Sequence, residues 1–381
     1  MNIVYISDID FKENSAPKIH VLEICKNLKR LGNNIYLLTS SSKQNKNYGF
    51  NIRFFGKNLP SYLNNLFFQI RLLFYLPLFI LLNKINGIYI RQSPLMIVPS
   101  IIGYLFGVSC FSELNGNIEE EMKELNKPWL HCIICRSVEK ISYKFSNKII
   151  VVTPKLKKYL IKKYNISNTK IVVIENGVDS DFFRPLDKRS CISKLRFNPK
   201  YKYLCYVGKF TTWQGLESLI ISFRLVLRKF PNIQLLLIGD GEIKNKLLDL
   251  SKDYGLQEKI IFTGMLDHKD IPLYIGSSEI CFAPFSKERN KRMGSSAFKI
   301  YEYASCERPI ITTHPDFVTK NNCGLVSRAD NPLDLSKKTL TLLSNPQLAK
   351  KMGENGRKAI INSYSWKNVA DKINKIFILY K

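Results

Sequence analysis

Lys299 and Glu302 stand three residues apart in a stretch whose apolar positions fit a helix, so the two opposite charges share one face. A cation there can neutralise a phosphate, and a carboxylate beside it can accept hydrogen bonds from hydroxyl groups. As a mere surface pair they contribute only about 0.2–0.5 kcal/mol. Gly294-Ser295-Ser296 comes just before the same helix. Free backbone amides and the helix dipole at that point suit an anion, although a serine there serves equally as an N-cap. Lys209 follows an apolar strand and precedes a helix, where the carboxyl edge of a parallel sheet opens to ligands. A second group lies in the first half of the chain. Glu113-Leu114-Asn115-Gly116 follows the apolar Cys110-Phe111, and Lys18 and His20 open the first helix. Asn115 can donate and accept a hydrogen bond but cannot act as a general base. Asp8-Ile9-Asp10 has the look of a metal-binding pair, yet nothing later in the chain supports it, and no metal is expected. Cys132 and Cys135 form the only CxxC, without a second pair or a histidine at zinc spacing.

These residues need strands and helices to hold them. In the first half, short apolar runs at 3–7, 35–39, 87–90, 110–113 and 148–153 alternate with helical stretches, the first near 19–31. Strand–helix alternation implies an α/β fold with a parallel sheet covered on both faces. The pattern restarts at 203–207, passes through GKFTTWQG into a helix at 216–230, and continues with strands near 235–238, 260–263, 280–283, 309–312 and 325–327. Two α/β domains in tandem follow, each offering one wall of a cleft. The expected divisions are 1–175, a linker at 176–199 carrying Gly177, Pro185 and Pro199, a second domain at 200–362, and a terminal amphipathic helix at 363–381 packing back on the first domain.

At 381 residues the chain exceeds one ordinary domain, and with 45% hydrophobic and 12% aromatic residues it has ample material for a core. Its 58 Lys plus Arg against 31 Asp plus Glu leave a formal charge of +27. That excess suits an anionic partner, or reflects a lysine-rich composition with no functional cause. The basic residues are dispersed, and no helix-turn-helix, RRM or zinc-finger signature accompanies them, so nucleic acid is not the expected partner. Nine scattered cysteines and the lack of a basic leader with a cleavage site suggest reduced thiols in the cytoplasm. The stretch 66–82 is broken by Gln69, Arg71 and Pro77 and reads as a core or interfacial helix, not a span. Between Lys140 and Lys170 there are nine lysines and no acid, with Leu156, Tyr159, Leu160 and Tyr164 at helical spacing, as in a helix lying on anionic lipid or one with a solvated lysine face.

Three segments in order resemble the family 4 glycosyltransferases. Asn176-Gly177-Val178-Asp179 with Phe182 or Phe183 and Pro185 is similar to the family's NGVD…F.P. Tyr206-Val207-Gly208-Lys209 with Trp213-Gln214-Gly215 looks like VGR…KG. Ser296-Ala297-Phe298-Lys299 through Glu302-Tyr303-Ala304, followed by Arg308-Pro309-Ile310-Ile311, resembles the S-P-x-K-x-x-E-Y-M-A…P-V-I donor motif. The resemblance implies a GT-B fold, two Rossmann-like doubly wound domains facing a central cleft, and a retaining transfer from a UDP- or GDP-sugar without a metal. It places the donor against Gly208, Lys209, Gln214, Met265, Gly294, Ser295, Ser296, Lys299 and Glu302, with Glu302 on the ribose and Lys299 toward the phosphates. Glu113, Asn115, Lys18 and His20 fall on the acceptor side, and Lys209, Glu302, Asn115 and His20 at the chemistry. The implied acceptor is a saccharide or lipid-linked glycan of polysaccharide, lipopolysaccharide or glycolipid synthesis, met in the cytoplasm or peripherally at the inner face of the plasma membrane. Two departures stand out. Gly294 occupies the position of the first glutamate of E-x7-E, and Gln214 that of the lysine of KG. They leave open a catalytically silent subunit that binds a sugar nucleotide or lipid for a partner enzyme.

Overall fold

The computed structural model describes residues 1–11, 15–42, 47–56, 61–124, 128–292 and 297–380, which form two compact units. Residues 1–177 and 366–380 belong to the first, 178–292 and 297–365 to the second. Each unit is a parallel α/β sheet, as the alternating pattern implies.

The first sheet has seven strands, β1 (Asn2–Ser7), β2 (Asn34–Thr39), β3 (Asn51–Phe54), β4 (Gly87–Arg91), β5 (Ser109–Leu114), β6 (Lys148–Val151) and β7 (Ile171–Val173), in the order β3-β2-β1-β4-β5-β6-β7. Edge strand β3 has no distinct apolar signature, and edge strand β7 is the short apolar run Ile171-Val172-Val173; both extend the sheet beyond the runs named above. The chain winds outward from β1, returns to β4 and then winds the other way, so the order switches between β1 and β4. Helix Ala16–Arg30 starts with Pro17 in its first turn, buries Val21, Ile24, Cys25 and Leu28, and ends with Lys29 and Arg30 where cations favour the helix dipole. Helix Trp366–Leu379 buries Val369, Ala370, Ile373, Ile376 and Phe377 in this same unit. The Phe377 ring meets Phe111 at 4.6 Å, and a Cβ at Gly87 would lie 2.5 Å from it, so the strand needs glycine to admit the ring.

Several helices cover the other face of this sheet. Helix Ser61–Leu82 runs on through Pro77 and buries Phe68, Leu72, Leu76 and Ile80 against Val4, Ile6, Ile88 and Ile90. Its residues Leu63–Leu82 are long and apolar enough to cross a membrane, but one side is committed to the sheet. Helix Val98–Leu105 and helix Trp129–Phe145 follow, the latter carrying Cys132 and Cys135 as buried free thiols. In the basic region, helix Pro154–Tyr164 turns Leu156, Leu160 and Tyr164 into the core and leaves its lysines outside. Its apolar face is therefore taken by packing and is not left for lipid.

The second sheet contains β8 (Lys202–Val207), β9 (Ile233–Ile238), β10 (Ile260–Gly264), β11 (Ser278–Ala283), β12 (Ile310–Thr312) and β13 (Gly324–Val326), ordered β10-β9-β8-β11-β12-β13. Its order switches between β8 and β11, where parallel α/β sheets open a crevice at their carboxyl ends. Residues 178–199 belong to this unit. Asp187 caps helix Lys188–Lys194 by accepting from the Ser190 N–H, and the Val178 N–H donates to the Tyr364 carbonyl at 3.0 Å.

The fit of Phe377 yields a stability test. Phe377→Ala empties the contact with Phe111, Tyr89 and Gly87 and lowers the stability of the first unit by about 3–5 kcal/mol in urea titration. A loss below 1 kcal/mol means that the terminal helix is not part of this core.

Candidate functional site

The β8–β11 switch point is built by backbone before side chains enter. The loop after β8 crosses the loop after β9: the Gly208 N–H donates to the Ile238 carbonyl at 2.9 Å, and the Phe210 N–H to the Asp240 carbonyl at 2.8 Å. Gly239 has φ +135°, and a Cβ on it would meet the Gly208 carbonyl oxygen at 2.1 Å, so only glycine permits the crossing. Gly215, also at positive φ, would strike the Pro284 carbonyl oxygen, and the Ser286 N–H bonds the Trp213 carbonyl at 3.0 Å. The loops after β8 and β11 are thereby locked together.

Helix Phe298–Ser305 is tied to this edge by the Val207 N–H, which donates to the Tyr303 hydroxyl at 2.7 Å. It delivers Lys299 under Gly208. The Lys299 ammonium donates to Gln214 Oε1 at 3.0 Å and stands 3.9 Å from the Tyr206 ring centre. A Cβ at Gly208 would lie 2.6 Å from Lys299 Nζ, so the glycine makes room for the cation. Burial, and next the charge of Arg289, hold the Lys299 ammonium well below the usual lysine range. One turn on, the half-buried Glu302 carboxylate makes no hydrogen bond or ion pair with any described residue. Burial pushes it up to about 7, against the pull of Lys299. A desolvated, unpartnered carboxylate at a sheet's switch point marks a binding site more than a structural brace.

Gly208, Gln214, Lys299 and Glu302 thus come together. Lys209 is exposed on the same loop, its carbonyl accepting from the Tyr206 hydroxyl at 3.1 Å. Met265 is 75% exposed just past β10, whose Gly264 carbonyl accepts from the Gly239 N–H. Gly294, Ser295 and Ser296 lie outside the described residues. The sequence reading missed Tyr206, Phe285 and Arg289. Arg289 sits in the run KERNKR, where no pattern separates it from its neighbours.

The carboxyl edge around β1, β4 and β5 assembles a different cluster. His20 Nε2 and Glu113 Oε1 are 2.8 Å apart, and both residues are all but closed to solvent, at 1% and 2% exposure. The Tyr5 hydroxyl donates to the other Glu113 oxygen at 3.2 Å, and the His20 ring meets Trp366 edge-on at 5.2 Å. Burial holds the His20 imidazole below the ordinary histidine value, against the pull of Glu113. At Glu113, burial pushes upward but His20, Arg91 and Tyr5 outweigh it, and the carboxyl ends below its ordinary value. A neutral imidazole donating to a carboxylate satisfies both directions. Lys18 donates to the Phe11 carbonyl at 2.6 Å, and half-buried Asn115 has its Nδ2 without a hydrogen-bond partner among the described residues. Asp8 and Asp10 accept from Asn65 and Ser41. Among the described residues, no three metal-ligating side chains gather.

The buried pair sets a pH dependence. With folded-state values of both His20 and Glu113 lowered, the unfolded chain takes up more protons in acid, so stability is full above histidine's ordinary 6.5 and is lost as pH falls below it. Urea midpoints of the wild type decline from pH 7 to pH 5, and His20→Asn, which does not titrate, flattens that decline. Parallel profiles for the two proteins would contradict the pairing.

Residues 18–182 match the family described as Glycosyltransferase Family 4, and residues 187–359 match Glycosyl transferases group 1, so the two matches span most of the chain. An uncharacterized glycosyltransferase of Methanocaldococcus jannaschii is 21% identical over 311 residues, 79% of this chain and 77% of the relative. The capsular polysaccharide biosynthesis glycosyltransferase CapM of Staphylococcus aureus is 24% identical over 63% of each chain. Among solved structures, HepE of Anabaena in complex with UDP aligns over 100% of both chains with a TM-score of 0.78 at 14% identity, a likeness of fold. Two parallel Rossmann-like units, matched in turn by both family descriptions, make this chain a family 4 glycosyltransferase of the GT-B fold.

Proposed function

We propose that this chain is a retaining transferase that moves a sugar from a UDP- or GDP-sugar to a saccharide or lipid-linked glycan in the synthesis of a surface polysaccharide or glycolipid. The observation that carries the reading is the unpartnered Glu302 carboxylate beside the Lys299 ammonium at the β8–β11 switch point. Glu302 accepts hydrogen bonds from the ribose hydroxyls. Lys299 and Lys209 neutralise the diphosphate, and with Gly208 carrying no side chain the phosphates approach the backbone closely.

On the acceptor side, Asn115 is the partially accessible polar group, and the His20–Glu113 pair behind it is too enclosed to touch a substrate and serves to hold the strand ends. Asn115 is no base, so the work of catalysis is positioning and charge stabilisation. As the glycosidic bond breaks, the developing charge on the leaving phosphate meets the lysine cations. That phosphate then takes the acceptor's hydroxyl proton while the new bond forms on the same face, which preserves the anomeric configuration. The comparison with CapM supports a polysaccharide setting, and HepE's complex with UDP supports a uridine donor.

The acceptor is met at a lipid surface. Outward from the first sheet, Phe74 is 76% exposed, Leu78, Leu81 and Tyr104 are exposed beside it, and Trp129 is 74% exposed on the third covering helix. Tyr104 packs on Phe145 at 4.9 Å, which joins the second and third helices, and Lys144 lies over the Phe145 ring. Apolar and aromatic side chains with a lysine at their border are suited to the headgroup boundary of an anionic membrane.

Two measurements test these assignments. A thermal-shift panel of nucleotides and nucleotide sugars, followed by a product assay, identifies the donor, and Glu302→Gln lowers affinity for it at least about tenfold, the scale of a lost charge-assisted bond. The ligand-free variant should melt above the wild type at pH 8.5 and with it at pH 5. The folded carboxyl titrates near 7, above its ordinary 4.5, so ionisation destabilises the fold as pH rises through that window. Unchanged donor affinity removes Glu302 from the site. Second, the protein co-sediments with liposomes containing anionic lipid and recovers poorly with neutral ones, and Phe74→Ser with Leu78→Ser abolishes the difference. Equal recovery with both liposomes rejects the lipid surface.

A further inference from the structure

The amino edge of the second sheet, at the other end of the strands from Lys299, carries a cavity of about 660 Å3, within the ~300–1,000 Å3 of small-molecule sites. Its lining comes from helix Lys188–Lys194, the loop after it and the first residues of β8 and β11. β8 is six residues long, so at ~3.3 Å per residue its ends lie roughly 17 Å apart, and a small molecule held here does not reach Gly208. Four cations line the cavity, Lys188, Arg189, Arg196 and Lys202, against one carboxylate, Glu279. That carboxylate is already engaged, with Lys188 Nζ 2.6 Å from its Oε1. Arg189, Arg196 and Lys202 make no ion pair and no side-chain hydrogen bond with any described residue. A lysine-rich composition does not account for this surplus. The adjoining cavity of about 430 Å3 shares Lys188, Lys202 and Glu279 but adds Arg308 and Lys350 against Glu307 and Glu354, close to balance.

The backbone singles out one of these cations. Helix Lys188–Lys194 ends in a Schellman turn, in which the Arg196 N–H donates to the Ser193 carbonyl at 3.0 Å and the Phe197 N–H to the Ile192 carbonyl at 2.9 Å. The residue that closes such a turn takes left-handed backbone, which suits glycine or asparagine. Here it is arginine, at φ +54°. Ending the helix does not call for a guanidinium at that point, whereas a ligand contact does. We propose that this cavity is a second binding site, for a small organic phosphate, with the phosphate held by Arg189, Arg196 and Lys202 and the organic body against Phe197 and Tyr201. A guanidinium fork meets phosphate through two parallel hydrogen bonds, and an ammonium adds a compact charge. Phe197 is stacked on Tyr203 with ring centres 4.7 Å apart, which fixes that wall, and the Lys188–Glu279 pair neutralises the one carboxylate that would repel the phosphate. The site is independent of the nucleotide-sugar reading.

The test is calorimetric titration of the full chain with glucose 6-phosphate, phenyl phosphate and inorganic phosphate. The wild type should bind at least one of the two organic phosphates more tightly than inorganic phosphate, and which of them it prefers tells a sugar body from a planar ring. Arg196→Asn removes the guanidinium and tolerates the left-handed backbone, and Lys202→Gln removes the ammonium. Each should weaken binding of the preferred probe by about tenfold or more, the scale of a lost charged hydrogen bond, and added salt should weaken it more in the wild type than in either variant. Without ligand, Arg196→Asn should melt at or above the wild type, since asparagine suits the turn better. The site is wrong if neither organic phosphate binds the wild type, or if inorganic phosphate binds as tightly as both. It is equally wrong if Lys299→Met loses the probe while Arg196→Asn and Lys202→Gln keep it, because the phosphate then sits at the opposite edge. An Arg196→Asn protein that melts well below the wild type makes Arg196 a structural brace and overturns its assignment to the ligand.

Discussion

Where the ammonium of Lys299 can rest decides how the carboxyl edge of the second sheet is arranged. It occupies the space that Gly208 leaves open, lies against the Tyr206 ring and is held by Gln214 Oε1. Each of those partners is placed by another constraint. Gly208 is bound to β9 through the Ile238 carbonyl, Gln214 precedes a glycine that allows the loop to pass Pro284, and the helix bearing Lys299 is anchored to β8 through Tyr303. A half-desolvated cation in this place is unfavourable for the free protein, as is the neighbouring carboxyl whose ionisation is pushed up to about 7. Functional sites store such strain because a ligand of the right charge relieves it.

The first unit uses its own switch point differently. There Glu113 accepts from Tyr5 and holds His20, while Arg91 adds a cation nearby. The paired Glu113 and His20 rigidify the strand ends, and the Asn115 amide beyond them has no hydrogen-bond partner among the described residues. The two units therefore share a parallel architecture but differ in their charged groups: Glu302 in the second makes no ion pair with any described residue, while Glu113 in the first is held by His20 and Tyr5.

Much of this was legible before any coordinates. Long apolar strands and the 3.6-residue spacing of the helices declare two parallel sheets, and the i,i+3 relation of Lys299 and Glu302 puts them on one face. The edge strands were passed over for different reasons: β3, with its residues alternately exposed and half-buried, carries little pattern, whereas β7 lies in the β-branched run Ile171-Val172-Val173-Ile174, a strand signal that is legible but short. Helix Lys188–Lys194 was hidden in a stretch that reads as linker, although Asp187 is a fair N-cap. The pairing of His20 with Glu113 joins positions 93 residues apart, which only the sheet order brings together. Gln214 reads as a loss in the sequence and as a partner of Lys299 in the fold. Arg289 was invisible because lysines and arginines surround it, and only the Phe285 ring beneath it distinguishes it from them.

The central claim is that the β8–β11 switch point grips the nucleotide diphosphate of the donor. A crystal structure with the tightest-binding nucleoside diphosphate tests it most directly. The account predicts the ribose hydroxyls at hydrogen-bond distance, about 2.5–3.0 Å, from the Glu302 carboxylate, and phosphate oxygens beside Lys299. A nucleotide seated elsewhere, or one at this edge with Glu302 turned away from its ribose, would contradict it.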